Sequence, residues 1–227
     1  MQLNRSDCWY SNSCSIKDDN CINHCLRYEE MKYLMDNSGI PKVRQLPDEL
    51  VPTCNEDLIS FRHLAQIKSR IVELVKDGYN LCIVSNNTGN GKTSWAIKIM
   101  LKFFNDVWAG NGFRVRGMFV HVPTLLLQLK DFNNPLSKEY KDNLMNCDLV
   151  IWDDIASSGI SNYDYAQLLS YIDQRILNKK SNIYTSNIAD DMNKILGERL
   201  TSRINASEVI RLYGKDERYG SSNSNIE

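Results

Sequence analysis

No apolar run in the 227-residue sequence approaches the roughly 18 residues that a membrane span requires, so no transmembrane segment is expected. The opening stretch, Met1-Gln2-Leu3-Asn4-Arg5-Ser6-Asp7, has no apolar h-region; no signal peptide is read, and a cytoplasmic location is expected. Charge of one sign is missing as well. With 27 Lys and Arg against 28 Asp and Glu, the formal net charge is −1, so any attraction to nucleic acid must come from a local patch. There is no internal repeat. Seven cysteines make an odd set, which in a reducing compartment points to thiols or metal ligands rather than disulfides.

What is present is globular: 42% hydrophobic residues, and enough length for one α/β domain, alone or with a small appendage. The chain is organised around one stretch. The apolar run Leu81-Cys82-Ile83-Val84 leads into Ser85-Asn86-Asn87-Thr88-Gly89-Asn90-Gly91-Lys92-Thr93-Ser94, followed at once by helix-tolerant residues. A buried strand, a glycine-bearing turn and a helix start are what a phosphate-binding loop needs, because loop and helix N–H groups converge on an anion. Residues 87–94 (Asn87, Thr88, Gly89, Asn90, Gly91, Lys92, Thr93 and Ser94) are the candidate cradle, with Lys92 for the β and γ phosphates and the Thr93 hydroxyl for Mg²⁺. Asn86 stands where the pattern has its first Gly; Asn enters left-handed φ/ψ cheaply, so the turn is expected to survive.

A second apolar run, Leu149-Val150-Ile151-Trp152, closes on Asp153-Asp154 and reads as a strand buried on both faces. Ligands of open α/β sheets sit at such carboxyl ends. Asp153 is the candidate Mg²⁺ holder through water, and Asp154 the group that orients or deprotonates an attacking water. Further strands are expected at 113–122, 182–187 and 208–213, for five in all. Helices are expected at 26–37, from the Asn55-Glu56-Asp57 cap to Gly78, and at 93–108, 123–132, 137–147, 162–180 and 190–196. Arg199 and Arg203 share a face if 197–204 is helical, with a surface ion pair expected of Arg199.

Cys8, Cys14, Cys21 and Cys25 crowd a polar, turn-rich opening that could not build a core alone. Their Cys-x5-Cys-x6-Cys-x3-Cys spacing is looser than common zinc modules, yet four thiolates around Zn²⁺ would supply the missing stability, with His24 a substitute. Pro41, Pro47 and Pro52 punctuate a linker. The expected organisation is a Cys-rich region 1–40, a linker 41–54, a main domain 55–219 and a disordered tail 220–227.

These motifs together resemble the AAA+ replicative helicase loaders of the DnaC/DnaI type, over roughly 55–218. Residues 85–93 resemble the Walker A element and 149–154 the Walker B. Thr185-Ser186-Asn187 resembles sensor 1, which puts Asn187 beside the γ-phosphate. Leu196-Gly197-Glu198-Arg199-Leu200-Thr201-Ser202-Arg203-Ile204 resembles the loader signature ending in an arginine finger, making Arg203 the candidate, and Gly214-x3-Arg218 resembles the late sensor-2-type arginine. The resemblance implies a P-loop NTPase of the AAA+ (ASCE) kind, with a parallel five-stranded sheet flanked by helices and no full helical lid. It implies ATP and Mg²⁺, slow oligomer-dependent hydrolysis with a finger supplied across a subunit boundary, self-association through the ATPase domain, and as partners a replicative hexameric helicase and single-stranded DNA. Lys130, Lys138 and Lys141 are candidate contacts to the single strand. Three other readings share the motifs: a transposition-helper ATPase of the IstB type, a P-loop small-molecule kinase, and a nucleotide-gated adaptor with little turnover.

Overall fold

The computed structural model describes residues 8, 14, 25–41, 46, 49–131, 136–156, 161–188 and 190–214. Their elements run α1 (Leu26–Asp36), α2 (Asp57–Ser69), α3 (Ile71–Lys76), β1 (Asn80–Val84), α4 (Lys92–Val107), β2 (Gly117–His121), α5 (Val122–Lys130), α6 (Lys138–Asn146), β3 (Leu149–Asp153), α7 (Asn162–Leu177), β4 (Ser181–Ser186), α8 (Met192–Leu196), α9 (Glu198–Asn205) and β5 (Glu208–Arg211). All strand pairings are parallel, in the order β2-β3-β4-β1-β5, so β4 is inserted between β1 and β3. The expected five-stranded parallel P-loop sheet is what the chain forms.

Alternation along the strands builds two cores. Leu81, Ile83, Phe119, Leu149, Ile151, Ile183 and Ile210 face α1 to α4, whereas Cys82, Val84, Met118, Val120, Val150, Trp152 and Tyr184 face α5 to α9. Helices therefore cover both faces, and β1 and β3 are apolar on each side, which is why they read as continuous runs. Burial of Trp152, whose Nε1 donates to Asn182 Oδ1 at 3.0 Å, contributes about 3 kcal/mol of apolar stabilisation. Residues of α1 join the first core, since Tyr28, Met31 and Leu34 are buried and Ser38 O accepts from Phe119 N on the sheet's outer strand at 2.6 Å.

Several expected boundaries shift for physical reasons. The single helix expected from the cap at Asn55 to Gly78 divides at Arg70, where ψ is 14°, although neither Gly nor Pro is present. The Ser69 hydroxyl donates to Gln66 O at 2.7 Å, a back-bond that loosens the last turn of a helix. The second strand starts at Gly117 rather than 113, because Phe113 sits at φ 53° and turns the chain first. The long helix expected to reach 180 ends at Leu177, in a Schellman motif. Lys180 N donates to Arg175 O and Lys179 N to Ile176 O, with Lys179 left-handed at φ 53°. Leu26, Leu58 and Leu177, apolar residues near the ends of their helices, are exposed rather than packed into either core.

Candidate functional site

The carboxyl ends of β1, β3 and β4 form one edge. The register pairs Val84 with Ser186 and Trp152 with Tyr184, so the loop after β1, the two acids after Trp152 and Asn187 after β4 all emerge together. Ser85 N donates to Ser186 O at 3.1 Å, extending the ladder one residue into the loop.

Within the loop, Gly89 (φ 69°) and Gly91 (φ 92°) take left-handed conformations that a side chain would strain. Gly91 is the N-cap of α4 and offers no side chain to it, so the first N–H groups of a 16-residue helix have no capping side chain. The loop is braced from within: the Ser85 hydroxyl accepts from Asn87 N at 3.0 Å and from Asn90 Nδ2 at 2.6 Å. Lys92 is buried, and its Nζ donates to Asn87 O at 2.6 Å and Asn90 Oδ1 at 3.0 Å. This arrangement fits a phosphate, because donors converge from loop and helix around an ammonium already aimed along the turn.

Asn86 does not use the left-handed conformation expected of it; it is not among the described non-glycine residues with positive φ. Its amide instead donates to Asp190 Oδ2 at 3.0 Å, and Arg211, at the end of β5, holds the other Asp190 oxygen. Those hydrogen bonds keep the Asp190 carboxyl below its ordinary range. The next residue, Asn87, donates to Tyr213 O at 2.9 Å and Gly214 O at 3.1 Å, tying the loop to the chain beyond β5. That chain is fixed by Asp57, which accepts from Tyr213 N at 2.7 Å and Gly214 N at 2.9 Å. Asp57 was expected to cap its own helix; its helix start carries no side-chain cap.

The two acids are sorted by one threonine. Thr185 Oγ1 donates to Asp153 Oδ1 at 2.8 Å and accepts from Asp154 N at 3.0 Å. Asp153 is buried, while Asp154, turned at φ 59°, is half-buried and accepts from Asn187 Nδ2 at 2.7 Å. Asp tolerates this left-handed angle better than most residues, and the turn brings both carboxylates to the same edge. A buried acid on a hydroxyl suits a metal-water shell, and a more open acid held by an amide suits an attacking water.

Arg203 lies on α9, which packs on α7 and α8. Its Nε donates to Asp173 Oδ1 on α7 at 2.6 Å, its one hydrogen bond among the described residues. The surface ion pair expected of Arg199 is thus made by Arg203, and Arg199 is exposed. Lys130, a candidate for the single strand, has its ammonium 2.7 Å from the buried Asp164 carboxylate, whereas Lys138 is exposed and Lys141 half-buried. Cys21, His24, Arg218 and the tail 220–227 lie outside the described residues. Cys8 and Cys14 pack against the first core, Cys8, Cys14 and Cys25 carry no disulfide, and the described residues contain no cluster of three His, Cys, Asp or Glu able to hold a metal. Sequence inspection missed Thr185, Asp190 and Asp57 as site-shaping residues, and each works through a partner distant in sequence.

The sheet order, the glycine-turned loop and the acids beside β4 define the P-loop AAA+ fold. No protein-family model and no curated protein matches the sequence. Among solved structures, the DnaC helicase loader is 20% identical with TM-score 0.61, over 73% of this chain and 94% of that one. DnaI is 18% identical with TM-score 0.54, over 80% of this chain and 93% of that one. The replication initiator DnaA bound to AMPPCP and single-stranded DNA is 14% identical with TM-score 0.58, over 76% of this chain and 50% of that one. At these identities the likeness establishes the fold.

Proposed function

We propose that the chain is an ATP-dependent loader that binds a replicative hexameric helicase and single-stranded DNA, self-associates through its ATPase domain and hydrolyses ATP slowly as a timing switch. The observation that carries the ATPase part is the pairing of Thr185 with both Asp153 and the Asp154 backbone, directly beside the loop that holds Lys92. The loader part is supported by the likeness to the DnaC helicase loader over 73% of this chain and 94% of that one, and by the signature around Arg203.

In this reading the loop N–H groups and the start of α4 grip the phosphates, and Lys92 exchanges a bond to Asn90 for one to the γ-phosphate. Bound Mg²⁺ supplies charge neutralisation across the phosphates. Thr93 and Asp153 hold it, with Thr185 fixing the Asp153 rotamer. Asp154 orients the attacking water and takes its proton, and Asn187 holds that carboxylate in place. Arg203 reaches a neighbouring subunit's γ-phosphate once it leaves Asp173, and Arg218 adds a second cation. A titration with a hexameric helicase, ATP and single-stranded DNA tests the proposal. A stable ternary complex lost in Lys92→Ala is expected; no helicase binding under any nucleotide condition overturns the loader assignment, and unchanged ATP affinity in Lys92→Ala overturns the phosphate-loop assignment.

A further inference from the structure

At the rim opposite the nucleotide edge, where the strands begin, α3, α4 and the entries to β2, β3 and β4 enclose a cleft of about 330 Å³. Five cationic side chains line it, Lys76, Arg114, Arg116, Lys179 and Lys180, against the single carboxylate of Asp148. Asp148 is already shared three ways. Arg116 Nε and Arg114 Nη2 (3.2 Å) meet one oxygen, and Lys180 Nζ (3.1 Å) meets the other. No ion pair among the described residues reaches Lys76 or Lys179. The ends of α3, α4 and α7 bring about half a negative charge each to this rim, which offsets only part of the cationic surplus. On a chain of net charge −1, this is a local anion-attracting site.

The chemistry of the walls selects among anions. A single nucleic-acid strand needs open aromatic faces to stack its bases, but Phe103 is 1% exposed and covered by the Arg116 guanidinium, 5.6 Å from the ring centroid. The open apolar surface is aliphatic, from the half-buried Val72 and Val107. We propose that the cleft is a docking site for an acidic peptide segment of a protein partner, its carboxylates on Arg114, Lys179 and Lys76 and an aliphatic side chain against Val72 and Val107. The site is at the far end of the strands from Lys92, so its occupant does not compete with nucleotide, and the inference stands apart from the function proposed above.

The test is fluorescence anisotropy of the full chain with a fluorescein-labelled Glu-Asp-Leu-Glu-Asp-Leu peptide. Saturable, salt-sensitive binding is expected, weakened at least tenfold in the double variant Arg114→Glu and Lys179→Glu and absent for the Gln-Asn-Leu-Gln-Asn-Leu peptide. Thermal unfolding checks that the variant is folded, and the single exposed change Lys76→Glu, expected to weaken binding several-fold, replaces it if it is not. No saturable binding to the parent, equal binding by the neutral peptide, or unchanged affinity in the folded variants overturns the proposal. So does an oligothymidylate that displaces the peptide and loses its own binding in the same variants, which marks the cleft as a nucleic-acid site.

Discussion

Thr185 does with one hydroxyl what its neighbours cannot: it donates to the Asp153 carboxylate and accepts from the Asp154 backbone. A Thr185→Val change keeps the shape and removes both bonds. It is expected to raise the Mg²⁺ concentration for half-maximal ATPase activity several-fold, with Thr185→Ser restoring it; equal Mg²⁺ dependence in all three would deny Thr185 a positioning role. Arg203 gives a second prediction at this scale. Arg203→Ala is expected to lower hydrolysis by about 10³-fold in the assembled state, whereas Asp173→Asn, which releases the guanidinium, should raise it. Steady-state ATPase rates at matched assembly check both, and an Asp173→Asn variant as slow as Arg203→Ala would show that the pair is needed as it stands. The residues with the strongest local patterns were legible in sequence, Lys92, Asp153 and Asp154 above all. Thr185, Asp57 and Asp190 were not, because their partners lie on other strands or past β5, and no local spacing encodes a contact set by sheet register.

Among the elements, those with one-sided or two-sided apolar patterns were readable, since burial dictates both their type and their span. Where helices end was less so. The split at Arg70 depends on a serine back-bond, and the end of α7 depends on Lys179 accepting a left-handed angle that glycine usually supplies. Replacing Lys179 by Gly should therefore raise stability by about 1 kcal/mol, read by urea unfolding. Its counterpart Gly78, left-handed at φ 73°, closes α3 with the same motif, and a Cβ there would meet Lys179 O at 2.9 Å. Gly78→Ala is expected to be destabilising by more than the Lys179 change stabilises; an unchanged midpoint would refute the close packing of these two turns.

For the whole molecule, acid stability follows from two carboxylates whose burial raises their pKa and whose cations more than reverse it. Asp148 is lowered by Arg116 and Lys180, and Asp164 by Lys130 and Ser161. A depressed folded-state value means that the stabilisation is complete above the ordinary value of 3.8 and is lost as pH falls below it. Thermal midpoints should hold from neutral pH to about 4 and then drop. Asp148→Asn should start lower and drop less; a parent midpoint flat below pH 4 would contradict the ion-pair account.

Arg175 is fully buried without a carboxylate, and its guanidinium donates to Leu144 O (2.6 Å), Cys147 O (3.0 Å), Ser181 O (2.8 Å) and Asn182 Oδ1 (2.8 Å). It rivets the end of α7 to α6 and to the start of β4, two residues beyond Asp173. Asp173 is thereby immobilised against the sheet, so α7 cannot travel with its ion-pair partner. Under the proposed function, an Arg203 that reaches a neighbouring subunit would first have to break its hydrogen-bonded salt bridge to this fixed Asp173, which would set a threshold for assembly.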